Sequence, residues 1–510
     1  MTEMTSKAEP RYYLQQNTKN ISDCYDAIVI GTGVGGLTCA TYLAKAGLKV
    51  LMLEKHYVPG GYCGSFWKKG YYFDAGAHYL GSCRREGQIG RLLVDHGLED
   101  RIQFIKVDPS DVFITRNHEI KVWQDFDRFV EELQNHFPKE SHRIRQFMDY
   151  ITKSNPLQLY ADLRAKTFAQ VLDGYFTDVE LKSIFSIPLG NIAVPSTEAS
   201  ALTTIFLYRE FILDGGYYPK GGMQALPDIL MERFREYGGE LLFLASAQAI
   251  NVENGRAAGV RLKVYGGSEV EVRARIVVAN CDPHQLANQL LCHVNAKELD
   301  GIRGLLRRRS SASAIMVHLG VKQELRGIAK YESNVWHYPG THIDDYYAAI
   351  AHGELGLEKG FLFFSIPSLH DAELLPRGRH SIQAIIGAPF KPRNEWESQG
   401  FKERIAEEIV RRIDNFIPGL TSWIDVKLVA TPPTLIKYTS NYEGAMYGWA
   451  STPDQVGNTA LKNPIGIGGL FLVGHWADVP TGHSGIATVV ASGRSVARTI
   501  LRARKSQVNA

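Results

Sequence analysis

Residues 25–54 read YDAIVIGTGVGGLTCATYLAKAGLKVLMLE. YDAIVI (25–30) is a short apolar run of strand type. GTGVGG follows as a turn, LTCATYLAKAG has helical spacing, and KVLMLE (49–54) is a second strand, so the stretch is one βαβ opening. Gly31, Gly33 and Gly36 form GxGxxG between the strand and the helix. The first glycine allows the tight turn, the second lets the backbone approach a pyrophosphate, and the third lets the helix pack closely on the sheet. The N–H groups and positive dipole end of the helix then face the phosphates. Glu54 closes the second strand, where a carboxylate accepts hydrogen bonds from ribose hydroxyls and repels a 2′-phosphate; Lys55 beside it is counted with the cofactor-binding residues. A bland glycine turn would not need the strand, helix, second strand and acid all in place.

Val58–Gly81 reads VPGGYCGSFWKKGYYFDAGAHYLG. Gly60 and Gly61 permit close backbone approach just after the acid-bearing strand. A simple NAD domain would continue here into a further βα unit; the plain alternative is a loop followed by a hairpin. Further along, a helix is expected over 222–238, strands over 240–252, 256–265 and 270–279, an amphipathic helix over 399–416, a strand at GLFLVG, and a last helix over 485–503. Between about 140 and 215 helices dominate, broken at Pro156, Pro188 and Pro195.

The bulk properties exclude several classes. Hydrophobic residues are 45% and charged residues 22% of 510, ordinary for a globular chain. A formal net charge of +3 supplies no electrostatic footprint for nucleic acid. The six cysteines form no CxxC pair and no histidine cluster has ligand spacing, so no metal is expected. So few thiols suit a reducing compartment, and a cytoplasmic location is expected. The first 24 residues are polar, with no apolar run like the core of a signal peptide, and no 18-residue uncharged apolar stretch occurs, so no spanning helix is expected.

The chain resembles the phytoene desaturase, carotenoid isomerase and retinol saturase group of flavin amine oxidase-like proteins. The segments that carry the resemblance are GTGVGG with Glu54, VPGGYCGSF, YFDAGAHYLG, YYPKGGMQALPDIL (217–230), INVENGRAAGV (250–260), ARIVVANCDP (274–283), TPPTLIKYTSNYEGAMYGW (431–449) and GLFLVGHWADVPTGHSGIATVVASG (469–493). They span nearly the whole chain. The resemblance implies FAD as the cofactor and an α/β fold. A Rossmann-like FAD-binding domain, split as in glutathione reductase and amine oxidases, carries an inserted mixed α+β substrate domain. The expected division is a polar tail (1–24), FAD-binding segments (25–120, 216–310, 441–503), substrate-domain segments (121–215, 311–440) and a short tail (504–510).

The resemblance also implies site roles. Ala247 falls where a backbone pair holds adenine. Gly474 ends the late strand whose following residues meet the ribityl and pyrophosphate, and Gly485 and Ile486 begin the last helix, whose N-terminus faces the flavin. Many relatives have Asp after the glycine matching Gly474; here His475 stands there, and Asp478 is the expected substitute.

The implied substrate is a hydrophobic polyene, carotenoid- or retinoid-like, that is desaturated, saturated or isomerised by hydride chemistry. Such a ligand has no charged handle and needs an apolar tunnel, for which 181–215 offers a wall, a membrane-facing entrance or simply core. Peripheral membrane contact follows from the same substrate class. His78, His475 and His483 lie in segments expected near the flavin, as does Tyr447, and histidine titrates in the range needed for proton transfer near neutrality. Two other readings stand beside this one: an amine oxidase-like enzyme on a polar substrate, and a non-catalytic prenyl-binding carrier of the Rab GDP-dissociation inhibitor type.

Overall fold

The computed structural model describes residues 21–508 except 213, 265, 268, 356, 358–359, 391–392, 457–464, 478, 480–481 and 483–484. The opening strand, Cys24–Ile30, lies near the middle of a seven-stranded sheet. It pairs in parallel with Val50–Leu53 on one side and Glu269–Ala279 on the other. Val50–Leu53 pairs onward with Glu240–Leu242. The first half of Glu269–Ala279 pairs with the hairpin Ser246–Glu253/Arg256–Lys263, and its last residues pair in parallel with Leu470–Leu472.

All four residues of VLML are buried, as expected of a strand covered on both faces. Ala27, Val29, Val50 and Met52 share one apolar cluster with the helices Val34–Lys45 and Ala225–Glu236. Ile28, Ile30, Leu51 and Leu53 belong to another, with Trp449 and Trp476. The parallel strands therefore end at one edge, where their carboxyl termini open a crevice.

A second seven-stranded sheet runs in the order Ile424–Ala430, Ser313–Val321, His380–Ala388, Leu362–Ser365, Asn334–His337, Asp111–Ile114, Glu119–Val122. Asp111–Ile114 lies in the segment expected above to be nucleotide-binding, and Glu119–Val122 straddles the expected boundary at 120. Asp111–Ile114 pairs in parallel with Asn334–His337, and the Trp336 indole N–H donates to the buried Asp111 carboxylate at 2.6 Å. The short alternating runs DVFI and EIKV specify strands, but not which sheet receives them.

Six α-helices lie between Phe126 and Ile212, their buried residues share one apolar cluster with Phe113, Ile120, Trp336 and Phe363 of this sheet, and side chains written into the sequence start four of them. Asp125, Asn155 and Asp178 each accept a backbone N–H three residues on at 2.9 Å, and Thr167 with Gln170 forms a reciprocal capping box. In the 181–215 stretch Leu181, Ile184, Phe185 and Leu189 are buried core, while Leu207 and Phe211 face a cavity.

Asp74, the last residue of the hairpin Ser65–Lys68/Tyr71–Asp74, lies against the second sheet, its carbonyl oxygen 3.1 Å from Nε2 of His318. Its buried carboxylate accepts from the Ser65 hydroxyl (2.8 Å), the Tyr218 hydroxyl (2.7 Å) and the Met223 N–H (3.2 Å). Burial pushes its pKa up to about 6 against the lowering effect of these donors. Among the described residues no helix is long and apolar enough to cross a membrane.

Candidate active site

The crevice opens into one continuous cavity of about 740 Å³ that reaches from Glu54 and Ala247 to His78, Glu210 and Phe211. At its first end, the Thr32 N–H and hydroxyl donate to one carboxylate oxygen of Glu54 at 2.9 and 2.5 Å, and the His56 N–H donates to the other at 2.9 Å. An ionised carboxylate accepts at about four lone-pair positions, so Glu54 retains capacity toward a hydroxyl in the cavity. Lys55 donates to the Ser440 hydroxyl at 2.6 Å, and burial lowers its pKa. Ala247 lines the same end from the strand Ser246–Glu253.

The glycines make the middle of the cavity. Gly31 and Gly33 line it, as do Gly60 and Gly61, and the Gly60 N–H donates to the Thr32 carbonyl at 3.0 Å. Gly36 does not line the cavity; a Cβ there would overlap the Gly31 carbonyl oxygen, so the glycine lets the helix close on the turn. Gly474 has φ +90°, a conformation L side chains rarely adopt, and a Cβ there would overlap Oδ1 of Asn280.

Asn280 was missed by sequence reasoning. Its N–H donates to the Ile30 carbonyl at 2.9 Å, and its Nδ2 lies 3.4 Å from the carbonyl oxygens of both Gly31 and Gly33. It therefore ties the glycine turn to the late strand's exit. The available signal was position: a polar residue directly after the buried run ARIVVA, at the carboxyl end of a parallel strand.

Beyond Gly474 the cavity is walled by His475, Trp476, Gly485 and Ile486, the last of these opening the helix Ile486–Val508. The Trp476 indole donates to Asn441 at 3.0 Å, and Trp449 donates to the Trp476 carbonyl at 3.0 Å. The Gly448 backbone leaves room for the His475 carbonyl, where a Cβ would overlap it. Asp478 and His483 lie outside the described residues.

A hairpin, the second sheet and the helix Ala201–Ile212 enclose the far end, through Phe66, Met316, His318, Leu428, Leu207 and Phe211. His78 stands here with its ring 4.1 Å from that of Phe363, and burial pushes its pKa down to about 3. This is not the near-neutral titration expected of it, because no counter-charge offsets the loss of water. His318 is likewise held down to about 4. Burial raises the Tyr447 hydroxyl. Glu210, a lone acid in the apolar run IFLYREFIL, is pushed up to about 8, first by burial and then by the Asp214 charge. It too was missed from sequence.

Thus Gly31, Gly33, Glu54, Lys55, Gly60, Gly61, Ala247, Gly474, Gly485 and Ile486 converge on one cavity with His78, Tyr447 and His475. The glycine cradle, the helix N-terminus behind it and the acid at its end fit an adenine dinucleotide. The family model for flavin containing amine oxidoreductase matches residues 34–501.

The chain belongs to the flavin containing amine oxidoreductase family.

It is a flavin-dependent oxidoreductase, with FAD as its cofactor, on a Rossmann-like FAD-binding domain joined to a substrate domain. Family membership sets it among enzymes rather than non-catalytic carriers. It is 28% identical to a prolycopene isomerase, chloroplastic, of Daucus carota over 489 residues, 88% of this chain and 76% of that one. It is 26% identical to an all-trans-retinol 13,14-reductase of Homo sapiens over 499 residues, 87% and 81% of the two chains. An oxidoreductase structure from Methanosarcina mazei superposes with a TM-score of 0.67 at 18% identity, covering 92% of this flavoprotein and 99% of that chain. Wild-type putrescine oxidase bound to putrescine superposes with a TM-score of 0.60 at 16% identity, covering 94% and 99%. These two likenesses concern the fold.

Proposed function

We propose that this flavoprotein acts on carbon–carbon double bonds of a hydrophobic polyene, carotenoid- or retinoid-like, as a desaturase, saturase or cis–trans isomerase. The observation that carries the reading is the largely aromatic and aliphatic wall of the cavity's far end, where burial disfavours charge. It pushes His78 and His318 down to about 3 and 4, raises Tyr447, and pushes Glu210 up to about 8. Such a wall suits a ligand with no charged handle and disfavours an ammonium substrate. The similarity to prolycopene isomerases and retinol reductases over most of the chain supports the same class.

In this reading the Gly31–Gly36 turn takes the pyrophosphate, Glu54 the adenosine ribose, and the Ala247 backbone the adenine. Gly474, His475 and the helix start at Gly485–Ile486 lie along the flavin end. FAD bound there supplies hydride chemistry. The protein's own part is to hold the ligand in the largely apolar far end and to exclude water. A cytoplasmic setting with peripheral membrane contact belongs to the same reading, supported by six unpaired cysteines and by the solubility of such ligands in lipid.

The test is anaerobic incubation of the reduced holoprotein with a set of polyenes. Flavin reoxidised without oxygen indicates saturation, and an isomerised product with flavin still reduced indicates isomerisation. Oxidised holoprotein bleached by a polyene indicates desaturation. If no polyene does any of these, the substrate class is wrong.

A further inference from the structure

Leu207, Glu210 and Phe211 stand at i, i+3 and i+4 on the helix Ala201–Ile212, so they share one face, and all three line the main cavity. Glu210 retains accessible surface there, and among the described residues its carboxyl makes no hydrogen bond or ion pair. The charged groups around it are committed elsewhere. Asp214, the acid nearest in charge, accepts the Arg84 N–H at 2.9 Å and lies 3.8 Å from the Arg84 guanidinium. Arg209 donates to the Ser154 carbonyl at 2.6 Å, and burial keeps the Cys83 thiol protonated. An acid without a partner in an apolar wall costs stability that packing does not return, which points to a role in the cavity's chemistry.

We propose that the Glu210 carboxyl is a catalytic residue, the acid that gives a proton to a carbon of the polyene and, in reverse, the base that takes it back. The proposal rests on the polyene reading above and deepens it. In the saturating direction one π bond breaks, one of its carbons gains a hydride from reduced FAD, and the neighbouring carbon gains the Glu210 proton. FAD is left oxidised and Glu210 ionised, to be reprotonated from water. Desaturation is the same step reversed. Isomerisation is the addition followed, after rotation about the new single bond, by its reversal. The other far-end groups suit this transfer less well. His78 is held deprotonated, Nε2 of His318 is spent on the Asp74 carbonyl at 3.1 Å, and burial raises Tyr447 out of range. A general acid works best when its proton is both held and released near the working pH, as that of Glu210 is.

The experiment mixes reduced holoprotein anaerobically with all-trans-retinol and with prolycopene and follows single-turnover product formation against pH. The wild-type rate is expected to fall as pH rises through about 8. Glu210→Gln is expected to react about a hundredfold more slowly, without that fall, while binding the polyene as the wild type does; Glu210→Asp is expected to restore the fall and part of the rate. A second readout needs no turnover. The infrared C=O band of a protonated carboxyl should be present in the oxidised wild type, absent in Glu210→Gln, and shifted when a polyene binds. A wild-type rate in Glu210→Gln, a pH fall that persists in it, or a band that bound polyene leaves unmoved overturns the acid role and leaves the polyene reading standing. A wild type that transforms neither probe overturns both.

Discussion

The Thr32 hydroxyl and the Thr32 backbone N–H donate to the same carboxylate oxygen of Glu54, at 2.5 and 2.9 Å. The acid that ends the second strand is thus held rigidly by the glycine turn that ends the first. Glu54→Gln leaves an acceptor at only one terminal atom, so either Thr32 or the His56 N–H loses its partner. Losing a bond in a buried site costs about 1–3 kcal/mol of stability, and the loosened side chain also weakens its hold on the ribose, so a rise in the FAD dissociation constant of roughly tenfold is expected. Equilibrium dialysis of FAD against wild type and variant measures it, and an unchanged affinity would separate Glu54 from the cofactor.

Alanine at three glycines separates backbone strain from steric overlap. Gly47 has φ +82° and nothing within 4 Å of an added Cβ, so Gly47→Ala carries the left-handed penalty alone, about 1–2 kcal/mol. Gly36→Ala carries overlap with the Gly31 carbonyl without that penalty, and Gly474→Ala carries strain and overlap with Asn280 together. The expected stability loss, read from melting of the FAD-free proteins, is smallest for Gly47→Ala and largest for Gly474→Ala. Gly36→Ala and Gly474→Ala should also purify with little flavin, while Gly47→Ala keeps its yellow colour.

Asp74→Ala removes the acceptor for Ser65, Tyr218 and the Met223 N–H in a fully buried place. Each orphaned donor costs about 1–3 kcal/mol, and a loss on the order of 3–5 kcal/mol is expected after relaxation. Tyr218→Phe, which removes one donor only, should cost about 1 kcal/mol. Urea unfolding of the three proteins resolves the difference.

Glu210 gives stability a pH dependence of defined sign. Its folded pKa of about 8 exceeds the ordinary carboxylate value of 4.5. Between these values the folded chain keeps a proton that the unfolded chain has lost, so its contribution weakens as pH rises from 4.5 to 8. Glu210→Gln should match the wild type near pH 4.5 and melt higher than it at pH 8. Parallel melting curves at both pH values, with the same offset, would show that Glu210 is ionised in the fold.

The run YDAIVIGTGVGGLTCATYLAKAGLKVLMLE determined by itself that a dinucleotide fold begins there. Strand, turn, helix, strand and acid are all local, and each has a period or a residue type that only one conformation satisfies. The helix caps at Asp125, Asn155, Thr167 and Asp178, which the structure brought out, are local in the same way. Placement across the chain was not. Nothing local in DVFI says that it pairs with Asn334–His337 rather than with the nucleotide sheet, because strand pairing is settled by which buried faces meet. Asn280 reads as an unremarked residue after a strand until the sheet brings it between Gly31 and Gly474. The protonation of the far end is likewise a property of tertiary structure. His78 and Glu210 carry ordinary titration ranges as residue types, and only the loss of surrounding water moves one down to about 3 and the other up to about 8.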